Sequence, residues 1–556
     1  MKKSEADVIK EIKSRWTQLQ NNRAKFEDRW TEAQQYVDKG ILNWSAVDTL
    51  PEMPKRYTSK PCNYSKTLTA GIVGYGISPS ITWFKLSIEQ VDLLTRYGVK
   101  DFLEQCEEVM LAEFNRSNLY QEAVKMVKDG VVIGHGPMLI DEDLNNNRLR
   151  FTKFPANEIF MDINEYGEID TCFRHYQDTL RNTAEFFGID NLDELMQEDA
   201  KDPEKWNNPV DLLQAIFPRQ EYNPEFKTSD NKPYACYYID LKNTKIIKES
   251  GYDEFPYAVF EWDRYEGYAY SSSPAQEAMP DIKALNIIKK TSLQIAQEAA
   301  EPPMKMTDDV RDIDLSPRGK TYLPTKDSVF EPIRTGENYP ITLQELSNYE
   351  QDVKDWFYVD FFLALQQRQG QMTATEVQEL QGEKAATLSS MIVNLNECLK
   401  KVISRSFTLL MNAGKFPPVP RALMEEGATM KVEFVGPLAQ AQKKYHTIGG
   451  TVQALSIAQP IMQLFPNAAD FIDPDQLMKS AMEGQGLPQN IIREDQDVQR
   501  IRQERAIAQQ QQAQMQQQME MTQALLNNAD KLNQPVQDKS MMQQLDDQMA
   551  GGFSGR

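Results

Sequence analysis

Apolar residues recur at steps of three, four or seven through residues 4–38. Ile9, Ile12, Trp16, Leu19, Phe26, Trp30, Ala33 and Val37 fall on one stripe, while Lys, Glu, Gln and Asn fill the other face. That period marks an amphipathic helix, which Gly40 ends. The stripe packs either on the body of the same chain or on a neighbouring subunit.

Residues 41–260 mix helix and strand patterns. Segments 148–154, 158–163 and 168–180 read as short antiparallel strands with Gly or Asn turns, and 235–240, 244–248 and 257–262 read alike. Between them 183–187 and 192–199 are helical, and 200–209 is a polar loop. The pattern turns helical at Asp281 and is stopped by Pro302-Pro303. Residues 304–340 hold many turn residues, with strand candidates at 304–306 and 320–323. Helical periodicity resumes at Thr342 and continues to about Ala364, where QQRQGQ (366–371) interrupts it. One long helical stretch then runs to Gly414, with Thr373 or Thr375 as N-cap and a possible kink at Gly382.

A strand-like KVEFVG (431–436) follows, then helices broken at Pro460, Pro466, Pro474 and Pro488. Residues 492–528 read as one proline-free, Gln-rich helix, and 531–556 as a disordered tail. The fold class expected is α+β, mainly helical.

At 556 residues the chain has room for about three to four domains. It is 40% hydrophobic, enough for real cores, so wholesale disorder is excluded. The formal charge of −21 argues against a broad grip on phosphate or on an anionic membrane. Cys62, Cys106, Cys172, Cys236 and Cys398 include no CxxC and are odd in number, which fits reduced thiols in a cytosol-like compartment. His135, His175 and His446 are too few for a His-rich metal site. No signal peptide and no stretch of the ~20 apolar residues that span a bilayer is expected.

The chemistry of catalysis is missing from the pattern. There is no phosphate-cradling GxxxxGK[ST], no HExxH, no GxSxG and no Cys–His signature. Gly71-Ile-Val-Gly-Tyr-Gly76 has the wrong spacing for a dinucleotide fingerprint, and close packing of small residues explains it better. Gly134-His135-Gly136 is either a lone functional His or, more simply, a turn between buried segments. Asp141/Glu142/Asp143 and Asp308/Asp309 have the hard oxygens of a divalent ion site, but a chain with 82 acids throws up such neighbours by chance. No cofactor is expected.

Two segments suggest assembly instead. Val498, Ile501, Ala508, Met515 and Met519 fall near heptad positions, which Arg505 and Gln512 dilute. A many-stranded barrel of parallel helices uses that seam better than a zipper, and the other reading is a disordered Gln tract. The 366–371 loop (Gln366, Gln367, Arg368, Gln369, Gln371) is polar with one cation between long helices. It is an ordinary connection or, in a ring, the lining of an axial hole.

These elements occur in a familiar order. RWTEAQQYV (29–37), NYSKTLTAGIVGYGISPSITWFKL (63–86), FPYAVFEWDRYEGYAYSSSPAQEAMPDIKALN (255–286), Pro302-Pro303, TATEV (373–377) and GPLAQAQ (436–442) together resemble the portal, or head-to-tail connector, proteins of short-tailed bacteriophages. Within 255–286 the match rests on Phe255-Pro256, Trp262, Arg264, Gly267, Tyr270, Ser273-Pro274, Pro280-Asp281 and Asn286. The resemblance covers about residues 25–510. Tyr270-Ser-Ser-Ser-Pro departs from it, since a Gly often follows that Tyr.

The resemblance implies a dodecameric ring with an axial channel for the genome. Residues 1–275 would be the wing with its N-terminal helix, 276–303 the first stem helix, 304–340 the clip, 341–365 the second stem helix and 366–373 the tunnel loop. Residues 374–440 would form a long kinked helix and the return to the wing, 441–495 the crown, 496–530 the barrel helix and 531–556 the disordered tail.

Implied partners are further copies of the chain, major capsid and scaffold proteins, the terminase large subunit, tail adaptor and tail tube proteins, internal core proteins at the crown or barrel, and double-stranded DNA passing without sequence preference. The implied place is the portal vertex of a virion assembled in the bacterial cytoplasm, with no membrane partner. Twelve copies at −21 carry about −250, which leaves a duplex mobile rather than gripped. Two other classes stay open: a helical scaffold that self-associates through the Gln-rich helix, and a metal-dependent nuclease using clustered carboxylates.

Overall fold

A computed structural model describes residues 4–38, 54–90, 98–143, 146–222, 228–311, 313–314, 321–333, 339–366, 388–421, 423, 430–436, 500–505, 507, 515 and 519. The chain forms two compact units, Met1–Ile457 and Ala458–Arg556. In the second, the described residues 500–505, 507, 515 and 519 are all helical.

Helix α1 (Glu5–Val37) opens the first unit, with Ser4 Oγ accepting the Asp7 N–H and acids in its first turn, where the helix dipole favours them. Its stripe is buried as the spacing predicts, within the first unit itself. Its N-terminal half lies on a five-stranded antiparallel sheet of β4 (Ile159–Ile163), β5 (Ile169–Thr179), β6 (Pro209–Pro218), β7 (Tyr234–Asp240) and β8 (Lys245–Tyr252), in that order. Ile9, Ile12 and Leu19 meet Phe173, Leu213, Ala215, Ala235, Tyr237 and Ile239, which alternate along their strands and so share one face. The other face carries Cys172, Ile216 and Cys236 into the main core.

Side chains meet both sheet edges. Arg23, buried on α1, donates to the Asn157 and Ile159 carbonyls at 2.6 and 3.0 Å and lies 3.6 Å over the Phe160 ring. Tyr270 Oη accepts the Met161 N–H at 3.2 Å. At the far edge, Glu5 accepts the Ile246 N–H at 3.0 Å. These side chains occupy part of each edge and so blunt it as a template for stray pairing.

The main core surrounds a second sheet of β3 (Arg148–Lys153), β2 (His135–Asp143) and β9 (Tyr257–Glu261). Helices α2 (Lys60–Gly76), α3 (Val99–Arg116) and α4 (Leu119–Ile133), with α11 (Ser389–Asn412), complete it. Close backbone approach explains several glycines. A Cβ on Gly136 would stand 2.2 Å from the Met126 carbonyl oxygen, and one on Gly71 would enter the Phe362 ring. The small-residue reading of 71–76 therefore holds at Gly71, whereas Gly74 faces open space. Buried Arg405 on α11 donates to the Ile140 and Glu254 carbonyls at 2.9 and 3.4 Å. Strand β1 (Phe84–Ile88) pairs with β14 (Met430–Phe434), joining positions about 345 residues apart in sequence.

The remaining elements form an antiparallel hairpin of helices. Strands β10 (Asp263–Arg264) and β11 (Ser271–Ser272) lead through α7 (Pro274–Glu277) into α8 (Met279–Ala300). Strands β12 (Met304–Met306) and β13 (Phe330–Pro332) pair with each other, and α9 (Tyr339–Trp356) returns. Helix α10 (Val359–Gln366) follows a break at Tyr358, whose φ of +50° lies in the left-handed region.

Three expectations need correction. The strand expected at 320–323 is absent from the described residues 321–323, and Phe330–Pro332 supplies the partner of β12 instead. The helix expected without interruption from 342 to 364 is two helices. Strands β2 and β6, missing from the sequence reading, are central to their sheets.

Candidate functional site

Helices α8 and α9 set the geometry of the candidate site. Trp356 Nε1, at the end of α9, donates to Asp281 Oδ2 in the first turn of α8 at 3.0 Å, so the two helices run antiparallel. Ile282, Leu285, Ser292, Leu346 and Val353 are buried between the pair and the body. Ion pairs tie the base down: Lys60 meets Glu350 at 3.1 Å, and Lys283 meets Glu32 on α1. The Tyr57 N–H donates to Asn286 Oδ1 at 2.7 Å.

Beyond Ile288 the burial fades. Lys290, Thr291, Leu293, Gln294, Ala296, Gln297 and Glu298 are exposed in turn, as are Ile287 before them and Leu343 on α9. A helix of 22 residues spans about 33 Å, so much of α8 stands clear of the body within its own chain. Ile287, Leu293 and Leu343 are thus large apolar residues that this hairpin leaves to solvent.

The segment between the helices is short on core and rich in local hydrogen bonds. Lys305 pairs with Glu331 across the strands, and Thr307 N donates to the Val329 carbonyl at 3.1 Å. Asp309 accepts from Ser328 Oγ, and that hydrogen bond holds its carboxyl below the usual carboxylate range. Met306, Tyr322, Leu323 and Ile333 are exposed around it.

Of the residues singled out from sequence, Gln366 is the last residue of α10. Gln367, Arg368, Gln369 and Gln371 lie outside the described residues. In the second unit Ile501, Arg505, Met515 and Met519 are helical, and the last three are exposed. Val498, Ala508 and Gln512 lie outside the described residues, as do Thr373, Thr375 and Gly382.

Gly134-His135-Gly136 is the join between two buried segments. Gly134 caps α4 with φ +98°, and His135 begins β2, buried against Trp30 and Tyr270 at ring distances of 4.9 and 5.2 Å. Burial, with Lys153 and Arg23 nearby, pulls the imidazole down to about 3, so it stays neutral at physiological pH. Two of the carboxylates of 141–143 have partners: Asp141 accepts from the Glu142 N–H and Tyr252 Oη, and Asp143 from Asn146 and Arg148. Among the described residues no group of three His, Cys, Asp or Glu side chains is placed to hold a metal ion. All five cysteines are buried, and burial pushes the Cys106 and Cys236 thiols up to about 11.

Sequence reasoning missed the exposed apolar positions Ile287, Leu293 and Leu343. The signal lies in DIKALNIIKKTSLQIAQ, where Ile287 and Ile288 are adjacent and so cannot share one helix face.

Residues 9–492 match the family of the bacteriophage head to tail connecting protein. The portal protein of Salmonella phage epsilon15 is 28% identical over 511 residues, covering 88% of this chain and 89% of that protein. A probable portal protein of Bordetella phage BPP-1 is 26% identical over 513 residues, covering 89% and 91%. The match takes in both sheets, the helix hairpin and the segment it carries: the chain belongs to the bacteriophage head-to-tail connecting, or portal, proteins of the virion.

Proposed function

We propose that the chain assembles head-to-tail into a ring of twelve, set at one capsid vertex, and that the genome is packaged and ejected through its channel. The family match over residues 9–492 carries this reading. The helix hairpin supports it physically. Exposed Ile287, Leu293 and Leu343 on α8 and α9 would be covered by neighbouring copies, and a closed head-to-tail interface needs no two-fold pairing.

In this reading α8 and α9 are the stem, and 304–340 is the clip, on which the terminase large subunit and later the tail adaptor proteins dock. Residues 366–373 form the tunnel loop, in which Arg368 touches DNA without sequence preference. The 441–495 crown and 496–530 barrel face internal core proteins, and the wing meets capsid and scaffold proteins. The chain is a conduit rather than an enzyme, and the ATPase that drives DNA belongs to another protein.

Negative-stain microscopy with native mass determination tests the ring. Twelve copies of 63.9 kDa give about 770 kDa and a hollow particle. A chain that stays monomeric at every concentration and in the presence of scaffold protein would overturn it. Removing residues 496–556 is expected to leave rings intact, whereas a scaffold held by the Gln-rich helix would fall to monomers. Arg368→Ala is expected to assemble normally but to change packaged DNA length or leakage. Metal-dependent cleavage of duplex DNA by the pure protein would overturn the non-enzyme reading.

A further inference from the structure

We propose that the excursion between β5 and β6, residues 180–208, is a docking surface for a cationic amphipathic helix of a partner protein. The inference does not depend on the ring.

The excursion is a folded unit rather than a slack loop. Its neck is closed where Leu180 N donates to the Asn208 carbonyl at 2.9 Å and Arg181 N to the Trp206 carbonyl at 3.1 Å. Helix α5 (Leu180–Phe187) is capped by Thr179 Oγ1, and Leu180, Phe187 and Leu192 form a small core with Val210, Leu212 and Ile247 of the sheet. Trp206 Nε1 donates to the Ala200 carbonyl at 2.9 Å, and Gln197 Nε2 to the Leu192 carbonyl at 3.0 Å. Helix α6 (Glu194–Asp199) is held by these bonds.

A unit held this firmly has already chosen which apolar residues to bury. It nevertheless leaves Phe186 66% exposed, Ile189 45% and Leu195 68%. Phe186 meets Phe187 and Tyr238 edge-on with part of its ring, yet most of it and most of Leu195 faces solvent, and rigid exposed apolar groups cost little entropy when a partner covers them.

Charge identifies the partner. Exposed carboxylates sit next in sequence to each apolar residue: Glu185 by Phe186, Asp190 by Ile189, Glu194 by Leu195, with Glu198 one turn on. Residues 190–204 hold seven carboxylates against the single cation Lys201. Other cations stand at the margin: Lys205 is paired with Asp199 at 2.6 Å, Arg181 lies 5.6 Å over the Trp206 ring, and Lys248 of β8 lies 5.9 Å over Phe186.

A surface of apolar points ringed by carboxylates repels DNA and anionic lipid. It also disfavours contact with the same acidic surface on a second copy. It fits a helix that presents Leu-like residues at i, i+3 and i+4 flanked by Lys or Arg.

The native cysteines are all buried, so Leu195→Cys in the full chain supplies one accessible thiol for an environment-sensitive fluorophore. Tyr166→Cys, at an 81% exposed turn, is the control. The probe is a synthetic Leu/Lys amphipathic peptide of about 18 residues, five helical turns. Its counterpart has Glu in place of Lys.

We expect a saturable blue shift at position 195, none at 166, and none with the Glu peptide. The Glu194→Lys/Glu198→Lys double variant should weaken binding about tenfold or more. The proposal falls if the label at 195 gives no saturable shift, if both labels respond alike, or if the charge reversal changes nothing. It also falls if the shift at 195 needs only more of the chain and no peptide, which would assign the surface to a second copy.

Discussion

Trp30 on α1 and Leu293 on α8 are large apolar residues of long helices, yet Trp30 is fully buried and Leu293 is 44% exposed. The contrast extends to their surroundings. Around Trp30 each sheet has its faces covered, and even the buried guanidiniums of Arg23 and Arg405 have backbone carbonyls to receive them. Around Leu293 a helix has one side packed and the rest open. The body covers its large apolar residues within one chain, and the hairpin leaves Ile287, Leu293 and Leu343 to solvent. Substitutions in the body should therefore register as stability, and those on the hairpin as assembly.

The comparison breaks most visibly if Trp30 is not essential to the body. Trp30→Ala should cost about 3–5 kcal/mol, because the ring packs against Phe26, His135 and Tyr270 and leaves a cavity behind. A urea midpoint hardly changed from the parent would refute this. Arg405→Met keeps the apolar stem but strands the Ile140 and Glu254 carbonyls, at about 1–3 kcal/mol by the same measurement.

A third test concerns the joint of β1. Burial pushes the Glu107 carboxyl up to about 7; Glu104 and Glu108 add to the rise, while the Leu86 N–H it accepts and Lys85 oppose it. The folded chain thus binds this proton more tightly than the unfolded chain, whose ordinary value is 4.5. The group's contribution is constant below about 4.5, worsens as pH rises towards about 7, and is level above that. Glu107→Gln should flatten that decline in urea midpoints measured from pH 4 to 8, and an unchanged slope would assign it to other groups.

Trp356→Phe removes the hydrogen bond to Asp281 and should cost about 1 kcal/mol, visible in the melting temperature. Smallest in the single chain is Leu293→Asn, within about 0.5 kcal/mol because the site faces solvent. That same change should abolish or weaken rings seen by native mass. If it instead unfolds the monomer, the division between body and hairpin is wrong.

Much of this division was legible in the sequence. The α1 stripe, eight of the strands and the stop at Pro302-Pro303 follow from local periodicity and turn chemistry. What escaped was set by distance. Segment 209–218 (PVDLLQAIFP) is nearly continuous in apolar residues, since β6 is central and has both faces covered, so it lacks the alternation that marks a half-exposed strand. The pairing of β1 with β14 leaves no local trace at all. Arg23 looks like an interruption of the α1 stripe; the carbonyls of 157 and 159, the Phe160 ring and Glu27 explain its burial. The break at Tyr358 has no Gly or Pro to announce it.

The candidate site was legible mainly as an order of motifs. The exposed apolar positions on α8 acquire meaning only once the hairpin is seen to stand off the body.

Helix α1 leaves the ribosome before the strands it covers, which are completed only at Tyr252. At synthesis rates of about 5–20 residues per second, its apolar stripe waits roughly 10–50 s for a binding face. The bond from Glu5 to Ile246 can close only then. Strand β1 waits longer still, for Met430–Phe434. Such late, distant closure makes folding slow and leaves sticky surfaces open during translation. The yield of folded chain should therefore respond to elongation rate and to chaperone supply.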